Sequence, residues 1–201
     1  MNSQAGQDAF VLSCLRHKRD GTFVEIGSHE PILINNTYVL ESQYNWRGIM
    51  IEYEEKFLEA YQTHRPQSHH VIQDATTIDY AKLFEEAKMP SIIEYLQVDL
   101  EVNNQSTITV LEKLHSEVMD NHKFATVTFE HDIYTGDHFN TRSRSREIFE
   151  SRGYVRVFSD VSNEGRPFED WYVHPELVDM EYINSIKTDT SLEWSEIVKL
   201  L

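Results

Sequence analysis

Apolar runs along this chain repeatedly close on acidic residues, and any chemistry here must be built largely from those carboxylates. In order they are Glu25-Ile26-Gly27-Ser28, Glu52-Tyr53, Asp74-Ala75, Asp99-Leu100-Glu101 and Glu130-His131-Asp132. In an open parallel sheet a ligand lies beyond the carboxyl ends of the strands, so these stops are where it would be met. Carboxylates gathered along one cleft repel one another and lose hydration. A row of them points to a ligand with hydroxyls, an amine or a metal ion. A strand ending Glu-x-Gly lets the backbone turn tightly at Gly27, and an acid about 25 residues later, Glu52, can accept hydrogen bonds from both ribose hydroxyls. This pairing reads as nucleoside recognition. The phosphate-binding Gly-x-Gly-x-x-Gly loop is replaced by Gly27-Ser28-His29-Glu30-Pro31, with one glycine and an added acid that disfavours a pyrophosphate. No Gly-x-x-x-x-Gly-Lys-Ser/Thr loop occurs either, which counts against ATP or GTP. A nucleoside cofactor with positive charge and no phosphate remains, and S-adenosylmethionine answers that description.

The elements that would position these acids can be read from the same sequence. A short opening helix runs through Phe10, Val11 and Leu15. Strands are expected at Thr22–Ile26, Gly48–Glu52, His70–Gln73, Ile92–Val98 and Phe124–Phe129. Helical spacing falls between them: from Asn35 or Asn36, through Phe57, Leu58 and Tyr61, from Ile78 to Ala87, and through Ile108, Leu111 and Leu114. A helix from Ser143 to Arg152 stops at Gly153, and two last strands follow at Tyr154–Phe158 and Phe168–Val173. The alternation predicts a mostly parallel α/β sheet of seven strands with crossover helices. From Pro175 to Leu201 the chain looks helical near Leu192–Leu200 and is expected to pack on the sheet edge.

Composition narrows the class. The chain has 201 residues, the size of one domain, so residues 1–201 are expected to form a single unit, with an N-terminal helix in 1–20 and a helical extension in 176–201. Eighteen Lys and Arg against 34 Asp and Glu give a net charge of -16, which repels phosphate backbones and anionic membranes. Neither nucleic acid nor membrane is expected as a partner. The single Cys14 allows no internal disulfide, and no apolar run approaches the roughly 20 residues that span a bilayer. With no signal-peptide pattern at the start, a reducing cytoplasmic setting is expected.

The motifs Ser3-Gln4-Ala5-Gly6-Gln7-Asp8, Gly21-Thr22-Phe23-Val24-Glu25-Ile26-Gly27, Asn35-Asn36-Thr37, Trp46-Arg47-Gly48-Ile49-Met50-Ile51-Glu52 and Leu96-Gln97-Val98-Asp99-Leu100-Glu101 resemble the FkbM-type family of S-adenosylmethionine-dependent methyltransferases. The similarity extends over roughly residues 3 to 175. It implies the class I methyltransferase Rossmann-like fold, a seven-stranded sheet of order 3-2-1-4-5-7-6 with strand 7 antiparallel. It also implies that Glu25 and Gly27 hold the methionine end of the cofactor, Glu52 the ribose, and Asp74 with Ala75 the adenine edge. Gln7, Asp8, Ser28, Asn36, Tyr53 and Asp99 complete the implied cofactor set. The departure lies at Ser28 to Pro31, where many relatives carry a second glycine. Family members act mainly on hydroxyls, often of sugars, and relatives occur in bacteria and in large viruses, for which the compartment would be the host cytoplasm. A glycan or another hydroxylated acceptor is thus the implied partner, with a small-molecule hydroxyl as the alternative. Monomer and homodimer stay open.

Methylating a sugar hydroxyl requires alignment of its oxygen with the methyl carbon and removal of its proton. Two routes are open: a general base, Asp99 or His131, or a divalent metal that polarises the hydroxyl. In the implied sheet, strands four and five are neighbours. Asp99, Glu130 and Asp132 would then meet and suit Mg²⁺ or Mn²⁺. Acceptor contacts are expected from Glu101, Asn103, Tyr134 and Arg144.

Each of these residues also has a structural reading. The basic run Thr141-Arg142-Ser143-Arg144-Ser145-Arg146 can close over the site or pair with neighbouring acids, and Tyr134 and His138 can stack on a sugar or simply pack. Asn104 can cap the helix that follows it. His69 and His70 point to opposite faces of a strand and cannot share an ion. Cys14 is expected to be a buried small hydrophobe, and Trp171 and Tyr172 to face either the core or an acceptor pocket. Two competing functions remain: a nicotinamide dehydrogenase, against which the absent glycines count, and a nucleoside- or partner-binding module that has kept the fold and lost turnover.

Overall fold

The computed structural model describes residues 2–201. Helix α1 (Gln7–Cys14) precedes β1 (Thr22–Ile26), α2 (Tyr38–Tyr44), β2 (Arg47–Glu52), α3 (Leu58–His64), β3 (His69–Ile72), α4 (Tyr80–Glu86) and β4 (Ile92–Val98). There follow α5 (Ser106–Glu117), β5 (Lys123–Glu130), α6 (Thr141–Ser151), β6 (Val155–Asn163), β7 (Arg166–Val173), α7 (Met180–Ile186) and α8 (Trp194–Leu200). The sheet order is β3-β2-β1-β4-β5-β7-β6, with β1 to β5 parallel and β7 antiparallel to both its neighbours. This is the expected order. It reverses direction between β1 and β4, so the crevice above their carboxyl ends is where a ligand should lie.

Strand alternation divides the core into two layers. Val24, Ile26, Ile51, Leu96 and Val127 face one side and pack with Leu83, Phe84, Leu111 and Phe149 of α4, α5 and α6. Phe23, Met50, Tyr95 and Trp171 face the other and pack with Phe10, Leu40, Tyr61, Ile183 and Ile197 of α1, α2, α3, α7 and α8. The second layer also includes Cys14, whose thiol burial pushes far above its ordinary range, as suits an inert small hydrophobe.

Several boundaries differ from the sequence reading for identifiable reasons. The first crossover helix starts at Tyr38 rather than Asn35, because the Asn35 side chain accepts from the Thr37 amide at 3.1 Å and holds the chain in a turn. Strand β6 runs on to Asn163 through a hairpin with β7 and carries register shifts along its length. The C-terminal segment does lie on the sheet edge, bridging Phe158 to Thr188 and Ser162 to Glu193. It contains a helix the reading omitted, α7, whose signal was present in Asp179: its carboxylate caps the amides of Glu181 and Tyr182.

Candidate active site

A cleft of about 890 Å³ opens above the carboxyl ends of β1, β2 and β4, at the reversal of strand order. Its wall contains Glu25, Glu52, Glu54, Asp74, Asp99, Glu101, Glu130 and Asp132, and neither Lys nor Arg. That imbalance is the site's main electrostatic property. The cleft favours a cation and repels phosphate.

Glu52 ends β2 buried and held by backbone. Its Oε2 accepts from the His29 amide at 2.8 Å, and its Oε1 from the amides of Tyr53 and Glu54 at 2.8 and 2.9 Å. Three donors fix the carboxylate without neutralising it, leaving a rigid acceptor in the cleft wall. Tyr53 beside it is largely exposed and lines the mouth. Asp74 follows β3 and is anchored by the Thr76 amide and hydroxyl at 2.9 and 2.7 Å, with Ala75 beside it on the wall.

Glu25 lies under the loop that follows β1. Burial raises its pKa against the opposing charge of Arg65, 4.0 Å away, and against a hydrogen bond from Asn35 at 3.2 Å. Arg65, fully buried, was missed by sequence reasoning. It donates to Glu41 at 2.9 Å, Asn35 at 2.8 Å and Thr37 at 2.6 Å, and so ties the post-β1 loop to α2 and α3. Ser28 and Asn36 line the cleft as expected.

At the β4–β5 end, Asp99 and Glu130 are hydrogen-bonded to each other. Burial raises the pKa of both, and the Asp99 charge pushes Glu130 further up. Asp132 is pushed up to about 6, first by burial and then by Asp99. Behind them Glu169, paired in register with Glu130 on the next strand, is pushed up to about 8 by burial and then by Asp99. Its carboxylate accepts from Trp171 Nε1 at 2.6 Å and Gln7 Nε2 at 3.1 Å. Trp171 is therefore a core residue.

Other expected residues fall elsewhere. Gln7 is buried beneath the cleft, on Glu169. Asp8 knits the N-terminal turn, accepting from Asn2 N at 2.7 Å and Ser3 Oγ at 2.6 Å. Neither reaches the cleft wall. His131 follows Glu130 by one residue and so faces the opposite side of the sheet. It is buried there, with Nε2 3.5 Å from Asp160 and 3.6 Å from Asp170. It cannot act as base in the cleft. Arg144 pairs with Glu112 at 3.2 Å and Glu147 at 2.7 Å and does not line the cleft. Asn103 and Tyr134 lie outside the wall, whereas Glu101 and Asn104 are part of it. Asn104 accepts from the Ser106 amide at 3.0 Å, a short turn just before α5 rather than a cap on a deeper amide.

The expected metal set is not assembled. Asp99 and Glu130 meet, but donor atoms of Asp99, Glu130 and Asp132 do not all three lie within 4.8 Å of one another. Among the described residues the trio that does is His131, Asp160 and Asp170. Arg146 holds that trio at 2.6 Å from Asp170 and 3.0 Å from Asp160, and Arg142 holds Asp160 at 3.0 Å. Arginine charge balances those carboxylates.

Among the lining residues that sequence reasoning did not assign to the site are Gln4, His29, Ile34, Glu54 and Gln97. Gln97 had a signal, since it interrupts the otherwise apolar end of the fourth strand.

Solved structures share this architecture. CalS10, an amino pentose methyltransferase from Micromonospora echinaspora with S-adenosylmethionine bound, superposes with a TM-score of 0.56 at 10% identity, over 86% of this chain and 92% of its own. A TehB-like S-adenosylmethionine-dependent methyltransferase from Corynebacterium glutamicum gives 0.53 at 9% identity, over 84% and 87%. The methyltransferase domain of METTL16 gives 0.51 at 11% identity, over 84% and 80%. The fold is that of the class I methyltransferases. No protein-family model and no curated protein sequence matches the chain. In class I methyltransferase terms, the cleft sits at the reversal of strand order where this sheet places its ligand. Among the described residues no helix is long and apolar enough to cross a membrane.

Proposed function

We propose that this protein is an S-adenosylmethionine-dependent methyltransferase of FkbM type that methylates a sugar hydroxyl of a glycan. One observation carries the reading: on a class I methyltransferase sheet, the cleft at the strand-order reversal has eight carboxylates and no Lys or Arg, with Glu52 fixed by three backbone amides. These residues fit a cationic nucleoside without phosphate. Glu52 would accept the ribose hydroxyls, Asp74 and Ala75 would border the base, and Glu25 with Gly27 would border the amino-acid end.

S-adenosylmethionine, when bound, supplies an electrophilic methyl group on a sulfonium leaving group. The acidic wall attracts that positive charge electrostatically, and its attraction falls once transfer leaves a neutral thioether, which favours release. The acceptor hydroxyl needs a proton acceptor. Asp132, half-buried and with its pKa pushed up to about 6, is ionised near neutrality yet basic enough to take the proton. The carboxyl pair of Asp99 and Glu130 lies beside it and orients the acceptor. Donor atoms of Asp99, Glu130 and Asp132 do not all three lie within 4.8 Å of one another, and base assistance by Asp132 is the favoured route.

The test is calorimetric titration of the EDTA-treated protein with S-adenosylhomocysteine. Micromolar binding is expected, weakened by about 1–3 kcal/mol in Glu52→Gln, which removes the charged acceptor. Absence of binding by the wild-type protein would overturn the methyltransferase reading and leave a partner-binding module of the same fold.

A further inference from the structure

The acids of the cleft divide between its ends. Glu52 and Asp74 stand at the β2–β3 end and are already supplied with backbone or hydroxyl donors. Asp99 and Glu130 stand at the β4–β5 end, bonded to each other, with His29 facing Asp99 from the cleft wall. Gln97 lines the cleft at this second end. It is 1% exposed, and its Oε1 has no hydrogen-bond partner. Register places Gln97 between Glu25 of β1 and Thr128 of β5, the latter two residues before Glu130, and Asp99 follows Gln97 by two. The side chains of Gln97, Asp99 and Glu130 therefore rise on the same side of the sheet.

A buried amide oxygen left without a donor retains the full cost of its desolvation. The carboxyl groups beside it are acceptors too, and no Lys or Arg lines the cleft to answer them. What this end lacks is a donor that also carries positive charge. A hydroxyl offers one O–H and no charge. An alkylammonium offers three N–H donors and a full charge, matching one amide oxygen and two carboxyl groups.

We propose that the β4–β5 end of the cleft binds a protonated amine of the methyl acceptor, with Gln97 Oε1 and the Asp99 and Glu130 carboxyl groups as its three acceptors. The inference rests on the methyl-transfer reading for the word acceptor, and it narrows the glycan class to amino sugars. An amine held as ammonium has no free lone pair and is not itself methylated. The neighbouring hydroxyl is the nucleophile: its oxygen forms the new bond to the methyl carbon, the carbon–sulfur bond breaks with its electron pair going to sulfur, and the hydroxyl proton passes to Asp132. Acceptors bearing phosphate or carboxylate at this position are repelled.

The experiment titrates protein saturated with S-adenosylhomocysteine against matched amine and alcohol probes: glucosamine against glucose, and ethanolamine against ethylene glycol. Each amine is expected to bind at least about tenfold more tightly than its alcohol. Gln97→Met and Glu130→Gln should each reduce that preference while leaving S-adenosylhomocysteine affinity within about twofold. If one variant fails to fold, the other carries the test. Equal binding of amine and alcohol, or no amine binding at about 10 mM, overturns the proposal. Loss of S-adenosylhomocysteine affinity in Gln97→Met also overturns it, because Gln97 would then serve the nucleoside ligand. Amine preference in a wild-type protein that does not bind S-adenosylhomocysteine would sink the methyltransferase reading and leave the amine site standing.

Discussion

Gly27 lies against the backbone carbonyl of Asp99 so closely that a Cβ on it would stand 1.8 Å from that oxygen. The glycine also has φ +86°, and its amide donates to Ile51 O at 3.0 Å. The turn that ends β1 is thus wedged between β2 and the exit of β4, and it fixes the distance between the two ends of the cleft. Gly27→Ala is expected to destabilise the protein by about 2–4 kcal/mol through backbone strain and overpacking together. Urea unfolding measures this. A change below the scatter of the method would mean that the turn relaxes freely.

Arg65 offers a second test of the same scaffold. It is the buried positive charge beside Glu25 and Glu41, with Glu41 at 2.9 Å. Arg65→Met keeps length and loses charge, leaving two buried carboxylates uncompensated, and should cost about 3–5 kcal/mol. Chemical denaturation provides the number, and the Glu41→Gln Arg65→Met double variant should recover part of it.

Stability should also depend on pH through Glu169. Its folded pKa is pushed up to about 8 from an ordinary 4.5, so the folded state holds a proton that the unfolded chain releases. That contribution is fully present below the unfolded value and is lost as pH rises towards about 8. Asp132, pushed up to about 6, acts with the same sign over a lower window. Between pH 5 and 8 wild-type Tm should fall as pH rises, and Glu169→Gln should flatten the slope. An identical slope in the variant would show that Glu169 is not the group titrating.

His131 supplies the control for the site assignment. It sits across the sheet from the cleft, between Asp160 and Asp170. His131→Asn should reduce stability and leave S-adenosylhomocysteine affinity within about twofold. A selective loss of affinity in a folded variant would return His131 to the site.

What the sequence determined by itself was local in origin. Acids at strand ends, the apolar runs that become β1 to β5 and the glycine of the first turn are all readable without neighbours, because strand alternation and turn chemistry depend on adjacent residues. The motif resemblance added the strand order, and with it the proximity of Asp99 to Glu130. Tertiary structure decided which side of the sheet each polar group faces. Glu130 and His131 are adjacent in sequence and separated by the sheet, so one lines the cleft and the other joins an arginine cluster. It also decided that Arg144 pairs outward while Arg146 pairs inward, a difference set by the rotation of α6. Arg65, distant in sequence from Glu25, becomes its counter-ion only when α3 packs beside the β1 loop. The unpartnered oxygen of Gln97 is likewise a property of the fold, since a hydrogen bond that is missing can be recognised only after every neighbour is in place.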